Sequence, residues 1–233
     1  MAQKPQDMEV RSVPILAAIP ADTLERFLPR FRVQVFLAGE QVYHAGDRAD
    51  AIHFLLHGRV KILRTSADGR QVIVSFYGRG DFIGCCTLLK TARWPCTAVA
   101  VETTKTASLT QQDLYEMLTA VPQLSAAMLQ AVAARLRDAD RRLQNLALDP
   151  AGSRVIAALL ELDDRFGISQ PDGSRVIRQR VTRMELAEMA GTTLETASRT
   201  MSRLKRKGIV ISQGRNIRLL SRAQLEQMQI NLL

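Results

Sequence analysis

Residues 191–210 read GTTLETASRTMSRLKRKGIV, and the period inside that run decides the C-terminal half of the chain. Leu194, Ala197, Met201 and Leu204 recur at spacings of 3, 4 and 3 and form the core-facing side of a helix from Thr193 to about Lys207. Gly208 ends it. Just upstream, Thr182 caps a helix carrying Met184, Leu186, Ala187 and Ala190, which stops at Gly191, where a left-handed backbone suits glycine. Two short helices joined by a tight glycine turn make a helix-turn-helix.

The other side of the second helix carries Glu195, Ser198, Arg199 and Ser202. This set suits the DNA major groove. An arginine gives two bonds to guanine O6 and N7, a carboxylate accepts from cytosine N4, and a serine bonds either partner or lies against a thymine methyl. The bland alternative is a surface i,i+4 ion pair between Glu195 and Arg199. Thr193 and Thr196 at the helix start are grouped with the reading residues. Arg203, Lys205, Arg206 and Lys207 crowd the far end and suit phosphates, which set register without reading sequence. Two short strands, Ile209–Ser212 and Asn216–Leu219, joined by Gln213–Gly214–Arg215, form a wing that brings Arg215 to the DNA backbone.

Moving upstream, a helix over Ser153 to Phe166 carries Val155, Ile156, Leu159, Leu160 and Leu162. Asp149–Pro150–Ala151–Gly152 precedes it and breaks the helical pattern, so it is the natural hinge. Residues 111–148 read as a helix. Leu129, Val132, Leu136, Ala139, Leu143 and Leu146 run 3, 4, 3, 4, 3, a narrow seam that suits two helices paired along their length in a homodimer. Packing of this helix on its own domain is the alternative. Arg135, Arg137, Asp138, Asp140, Arg141 and Arg142 are expected on its solvated edges.

Residues 31–110 change character to short β-type runs between glycines, among them Phe31–Phe36, Ile52–Leu56, Val60–Leu63 and Val72–Phe76. Asp68–Gly69 is a hairpin signal, because glycine accepts the positive φ of a tight turn. Residues 1–30 form a helical lead-in with Leu16, Ile19, Leu24, Phe27 and Leu28 on one side. The fold class is therefore α+β, divided as 1–110, 111–148 and 149–233.

Lys and Arg number 32 against 23 Asp and Glu, a net charge of +9, which points to a polyanion partner. The stretch 151–233 alone holds 14 basic and 8 acidic residues. No run of about 18 apolar residues or signal-peptide core occurs, so no membrane association and a cytoplasmic location are expected. Three cysteines without a paired metal motif do not make a disulfide framework. No P-loop, nucleophile elbow or HExxH motif occurs, so an enzyme is not expected.

In these motifs the chain resembles the Crp/Fnr superfamily of bacterial transcription regulators over nearly its whole length. The sensor half carries Phe36-x-x-Gly39-Glu40-x-Val42, Gly46-Asp47, Gly58-x-Val60-Lys61-Ile62, Asp68-Gly69-Arg70 and Gly80-Asp81-Phe82-Ile83-Gly84. It looks like the family's cyclic-nucleotide-type β-roll. Glu195-x-x-Ser198-Arg199 resembles the Fnr/Dnr branch, which implies a TTGA(T/C)-type inverted repeat. The resemblance also implies RNA polymerase as a partner, beside double-stranded DNA and a second copy of the chain.

It further implies where an effector sits: Gly84, Cys85, Cys86, Arg93, Trp94, Cys96 and Thr97. The family's cAMP-binding members carry Gly-Glu and, about ten residues on, Arg-Ser/Thr. Here Gly84 precedes Cys85, and Arg93 precedes Trp94, so cAMP is not expected. An Fnr-type iron–sulfur cluster needs four thiolates, and the chain has three cysteines, none within residues 1–84. Two sensor readings stay open. One is a haem sensing nitric oxide or carbon monoxide, with His44, His53, His57, Cys85, Cys86 or a methionine as axial ligand. The other is redox sensing by Cys85, Cys86 and Cys96, with Arg93 lowering a thiol pKa. Small buried thiols with no sensing role are the plain alternative. No metal site is assigned. A cyclic-nucleotide-type module that docks on protein is the rival to DNA binding, and the Glu195, Ser198 and Arg199 face argues against it.

Overall fold

The computed structural model describes residues 5–89, 92–178, 181–213 and 216–230. The chain divides into two units, Met1–Leu136 and Arg137–Leu233.

The first unit opens with α1 (Pro5–Arg11), a 3-10 turn Pro14–Ala18 and α2 (Ala21–Phe27). Strands follow: β1 (Arg32–Phe36), β2 (Gln41–Tyr43), β3 (Ala51–His57), β4 (Arg59–Thr65), β5 (Gln71–Gly78), β6 (Phe82–Ile83), β7 (Thr97–Ala100) and β8 (Thr104–Thr110), with a 3-10 turn Cys85–Leu88 after β6. They build two antiparallel sheets, ordered β1-β8-β3-β6 and β2-β7-β4-β5. The pleat of β3 shows why. Ile52, Phe54 and Leu56 point to one side, where they pack with Leu16, Leu24, Phe27 and Leu114 from the helices. Leu55 points to the other and meets Val60, Ile62 and Ala98 of the second sheet. The Asp68–Gly69 turn closes β4 on β5 as its sequence demands: Gly69 has φ 83° and its N–H donates to Ser66 O at 2.9 Å.

The helix expected across 111–148 is two: α3 (Gln111–Ala120) and α4 (Pro122–Leu148), whose axes turn through 114°. Pro122 causes the break. It disfavours helical backbone at Val121, which sits at φ −133°, ψ 82°, and begins α4 where its missing N–H costs nothing. Val121 and Leu124 are buried. Farther along α4 the apolar seam has no cover: Leu129 is 70% exposed, and Val132, Leu136, Leu143 and Leu146 are exposed too, as is Ala139. Arg135 departs from the solvated edge expected of it. Its guanidinium lies over the rings of Tyr77 and Phe82, 4.6 and 4.2 Å from their centroids, and donates to Phe82 O at 2.7 Å.

The second unit contains α5 (Ala151–Phe166), β9 (Gly167–Ser169), β10 (Arg175–Ile177), α6 (Arg183–Ala190), α7 (Leu194–Arg206), β11 (Val210–Gln213), β12 (Asn216–Leu219) and α8 (Arg222–Ile230). The wing strands join a sheet ordered β11-β12-β10-β9. Its β9 and β10 arms and α8 are additions that the sequence reading lacked. No single helix among the described residues is long and apolar enough to cross a membrane.

Candidate nucleic-acid interface and sensor site

Side-chain caps set the start of both helices of the helix-turn-helix. Thr182 Oγ1 accepts from Glu185 N at 3.1 Å while Glu185 Oε2 accepts from Thr182 N at 3.0 Å, a capping box that starts α6. Gly191 ends α6 in the left-handed region at φ 56°, ψ 47°. Thr193 Oγ1 then accepts from Thr196 N at 3.2 Å and starts α7. The hydroxyls of Thr193 and Thr196 also bond each other at 3.1 Å, so both serve the helix start.

Helix α7 buries Ala197, Met201 and Leu204. Leu194 does not follow them. Standing at the first helical position, before the core-facing stripe is covered, it is 44% exposed. Glu195, Arg199, Ser202 and Lys205 are exposed, and Ser198 and Arg203 are half-buried. Arg199 and Glu195 form an ion pair across one helical turn. Arg215, assigned to the wing, lies outside the described residues.

In the sensor half, Gly84, Trp94 and Thr97 are buried, Cys85, Cys86 and Cys96 are half-buried, and Arg93 is exposed. Trp94 stacks on Tyr43, and Tyr43 neighbours His53 with centroids 6.1 Å apart. Tyr43 is the hub that the sequence reading missed. Burial, followed by the charges of Cys96, Tyr77, Cys86 and Cys85, pushes its hydroxyl well above the usual range. Thr97 Oγ1 accepts from Ala45 N at 3.1 Å, which occupies it structurally.

One expectation changes here. Arg93 is engaged elsewhere: its Nη1 donates to Gly46 O at 2.7 Å. Burial instead pushes the Cys86 and Cys96 thiols up, and the opposing cation is Arg64. The three candidate histidines stand in different surroundings. His44 and His57 are exposed, while His53 is enclosed with its Nδ1 unpartnered. Burial, opposed weakly by Asp50, pushes the His53 pKa down to about 4. Among the described residues no three His, Cys, Asp or Glu side chains are arranged to hold a metal ion.

Residues 33–120 match the cyclic nucleotide-binding domain family, and residues 153–228 match the Crp-like helix-turn-helix domain. The two matches stand in the order of the sensor and reading halves and between them cover most of the chain. The chain belongs to the Crp/Fnr superfamily. It is a DNA-binding transcription regulator and not an enzyme. The regulator is 27% identical to the cyclic AMP receptor protein of Thermus thermophilus, over 96% of this chain and all of that one. It is 25% identical to a CRP-like cAMP-activated global transcriptional regulator of Mycobacterium tuberculosis, over 78% of this chain and 81% of that one. Among solved structures, FixK2 from Bradyrhizobium japonicum superposes with a TM-score of 0.74 at 25% identity, covering 84% of this chain and 96% of that one. Within this family frame, Arg135 and Tyr43 are sensor-half residues that periodicity alone could not find. Arg135 sits on the edge of an amphipathic helix, and Tyr43 belongs to a three-residue strand.

Proposed function

We propose that the regulator works as a homodimer on double-stranded DNA, reading a TTGA(T/C)-type inverted repeat with Glu195, Ser198 and Arg199 of each copy. The observation that carries the reading is the sorting of α7: Ala197, Met201 and Leu204 are fully enclosed, while Glu195 and Arg199 stand in solvent. The uncovered seam Leu129–Val132–Leu136–Ala139–Leu143–Leu146 supports the homodimer, because a stripe of large apolar residues in water marks an interface. Residues 1–110 serve as sensor, 111–148 as connecting and pairing helices, and 149–233 as the DNA-binding part, in the cytoplasm and with RNA polymerase as partner.

The test is a gel shift at two salt concentrations with a scrambled-site control. Arg199→Ala is expected to remove the preference for the repeat and leave the dimer intact. Arg203, Lys205 and Arg215 act on phosphates, so their loss weakens binding to all sequences alike, while Ser202 stands with the reading set and Thr193 and Thr196 present the start of the helix to the DNA. Equal loss of specific and scrambled binding in Arg199→Ala would remove the base-reading role.

For the sensor we propose an effector other than cAMP. Several relatives are named for cAMP, but here Cys85 follows Gly84 and Arg93 is turned to Gly46 O. The thiols Cys85, Cys86 and Cys96 near Tyr43 are the sensing group this reading favours, because Tyr43 gathers them beside Trp94. Operator binding by reduced and oxidised protein, repeated in Cys86→Ser and Cys96→Ser, tests this. A Soret band after haem addition, with redox-independent binding, would reverse it.

A further inference from the structure

Arg154 stands in the first turn of α5 and binds three backbone carbonyls from separate parts of the chain. Its Nη1 donates to Asp149 O at 2.9 Å, at the end of α4. Its Nε donates to Ala190 O at 2.8 Å, and its Nη2 to Gly191 O at 3.1 Å. Ala190 is the last residue of α6, and Gly191 is the turn that leads into α7. The carbonyls at a helix end lack intrahelical partners and carry the negative end of the helix dipole, so a planar cation with several donors suits that place.

A second contact joins the same parts. A side chain at Gly191 would place its Cβ 3.1 Å from Leu146 Cδ2, so the last turn of α4 lies directly against the turn before α7. The turn itself is braced: Thr192 N donates to Ala187 O at 2.9 Å, and Thr193 caps α7. Leu146, assigned to the pairing seam from its spacing, thus also touches the helix-turn-helix.

We propose that Arg154 is the positioning residue that fixes the pitch of the reading helix α7 relative to the end of α4. One guanidinium ties the carbonyl at the hinge to the two carbonyls at the turn. A change in the direction of α4 at Asp149 is therefore handed to α7 rather than absorbed by the hinge. The role rests on α7 being the DNA-reading helix, and it adds the part that sets half-site spacing. Pitch governs which separation of half-sites two copies can meet, since successive major grooves repeat with the DNA turn.

The test uses the full chain and the half-site that wild-type protein itself recovers from randomised DNA. Affinity is compared on an operator of recovered spacing and on one lengthened by a few base pairs. The wild type is expected to prefer the first by about tenfold or more, and Arg154→Met to hold the two within about twofold. Arg154→Lys, which keeps the charge and fewer bonds, is expected between them and carries the test if the methionine variant does not fold. In the free chain, amide exchange at residues 192–197 should quicken while Ile156 and Leu159 stay protected. A folded Arg154→Met with unchanged spacing preference and unchanged exchange overturns the proposal. A recovered half-site unlike TTGA removes the assigned reading residues and leaves the spacing and exchange measurements to judge Arg154 alone.

Discussion

Trp94 lies flat on Tyr43, with ring centroids 4.1 Å apart and 17° between the planes. The indole is 4% exposed, and it is the only tryptophan in the chain. The stack is enclosed in the first unit, so truncating the indole removes its packing and opens space there. Trp94→Ala is expected to destabilise the sensor by about 3–5 kcal/mol, and Trp94→Phe by clearly less. Chemical denaturation followed by circular dichroism checks both. In the wild type, tryptophan emission reports the sensor alone, so it should shift on thiol oxidation if the thiols sense. Equal stabilities for the alanine and wild-type chains would mean that the stack packs nothing essential.

His53 gives the sensor a pH dependence of defined sign. Its folded pKa of about 4 lies below the ordinary value, so the unfolded chain binds the proton first. Its contribution is complete above about pH 6.5 and is lost as pH falls towards 4, a difference of about 3 kcal/mol. Denaturation midpoints measured between those limits should fall with acidification. His53→Phe should flatten that part of the profile. An unchanged slope in His53→Phe would assign the proton elsewhere.

Asp163 is wholly enclosed and accepts from Arg175 Nε at 2.8 and 2.6 Å and from Arg222 Nη1 at 2.6 Å. It joins α5 to β10 and α8. Removing the carboxylate leaves two guanidinium groups, each about a quarter exposed or slightly more, without their shared partner. Asp163→Ala is expected to cost about 2–3 kcal/mol, at the low end for a broken buried pair because the arginines keep access to water. Arg222 keeps Asp164 and Glu226, so the loss falls chiefly on Arg175; a triple variant that also replaces Arg175 and Arg222 by apolar residues and recovers part of the stability would be the signature of a cation left without its carboxylate. Additive losses in the triple variant would contradict it.

The uncovered seam on α4 predicts an oligomeric state. Leu129→Glu with Leu143→Glu places carboxylates where the second copy would pack, and should turn dimers into monomers by sedimentation equilibrium. Since both side chains are exposed in the single chain, the midpoint of unfolding at low concentration should barely move. A wild-type chain that sediments as a monomer, or a double variant that remains dimeric, would end this reading.

Much of this was legible in the chain's order of residues, for reasons that differ by element. The period of α7 and the Asp68–Gly69 turn declared themselves, because burial on one side and a positive φ leave direct marks in sequence. The break at Val121 was equally marked by Pro122, but the apolar period continues across it and hid the turn. The strands β9 and β10 are three residues each, too short for a period, although Pro171–Asp172–Gly173 between them is a turn signal. Leu194 misled because spacing gives a helix face and not how far the core reaches along it. The positions of Arg135, Arg154 and Tyr43 were beyond reach, since each is defined by groups distant in the chain. Arg93 shows the reverse case: sequence proximity to the cysteines placed it beside them, and the structure turns it to Gly46.

Glu195 supplies the sharpest check on how bases are read. In the single chain its carboxylate pairs with Arg199, and both side chains are about three-quarters exposed. An exposed i,i+4 pair adds only about 0.3–0.5 kcal/mol to a helix, so as mere structure it is dispensable. A carboxylate facing DNA is repelled by phosphates unless it accepts from a cytosine amino group. Glu195→Ala is therefore expected to relax discrimination at one base pair of each half-site by about 1–3 kcal/mol, while binding to scrambled DNA strengthens slightly. The salt dependence of specific binding should not change, because no phosphate contact is lost. Competition between repeats that differ at that one position reads the effect directly. If Glu195→Ala discriminated as the wild type does, the carboxylate would serve only to hold Arg199, and cytosine would have to be recognised through another residue of α7.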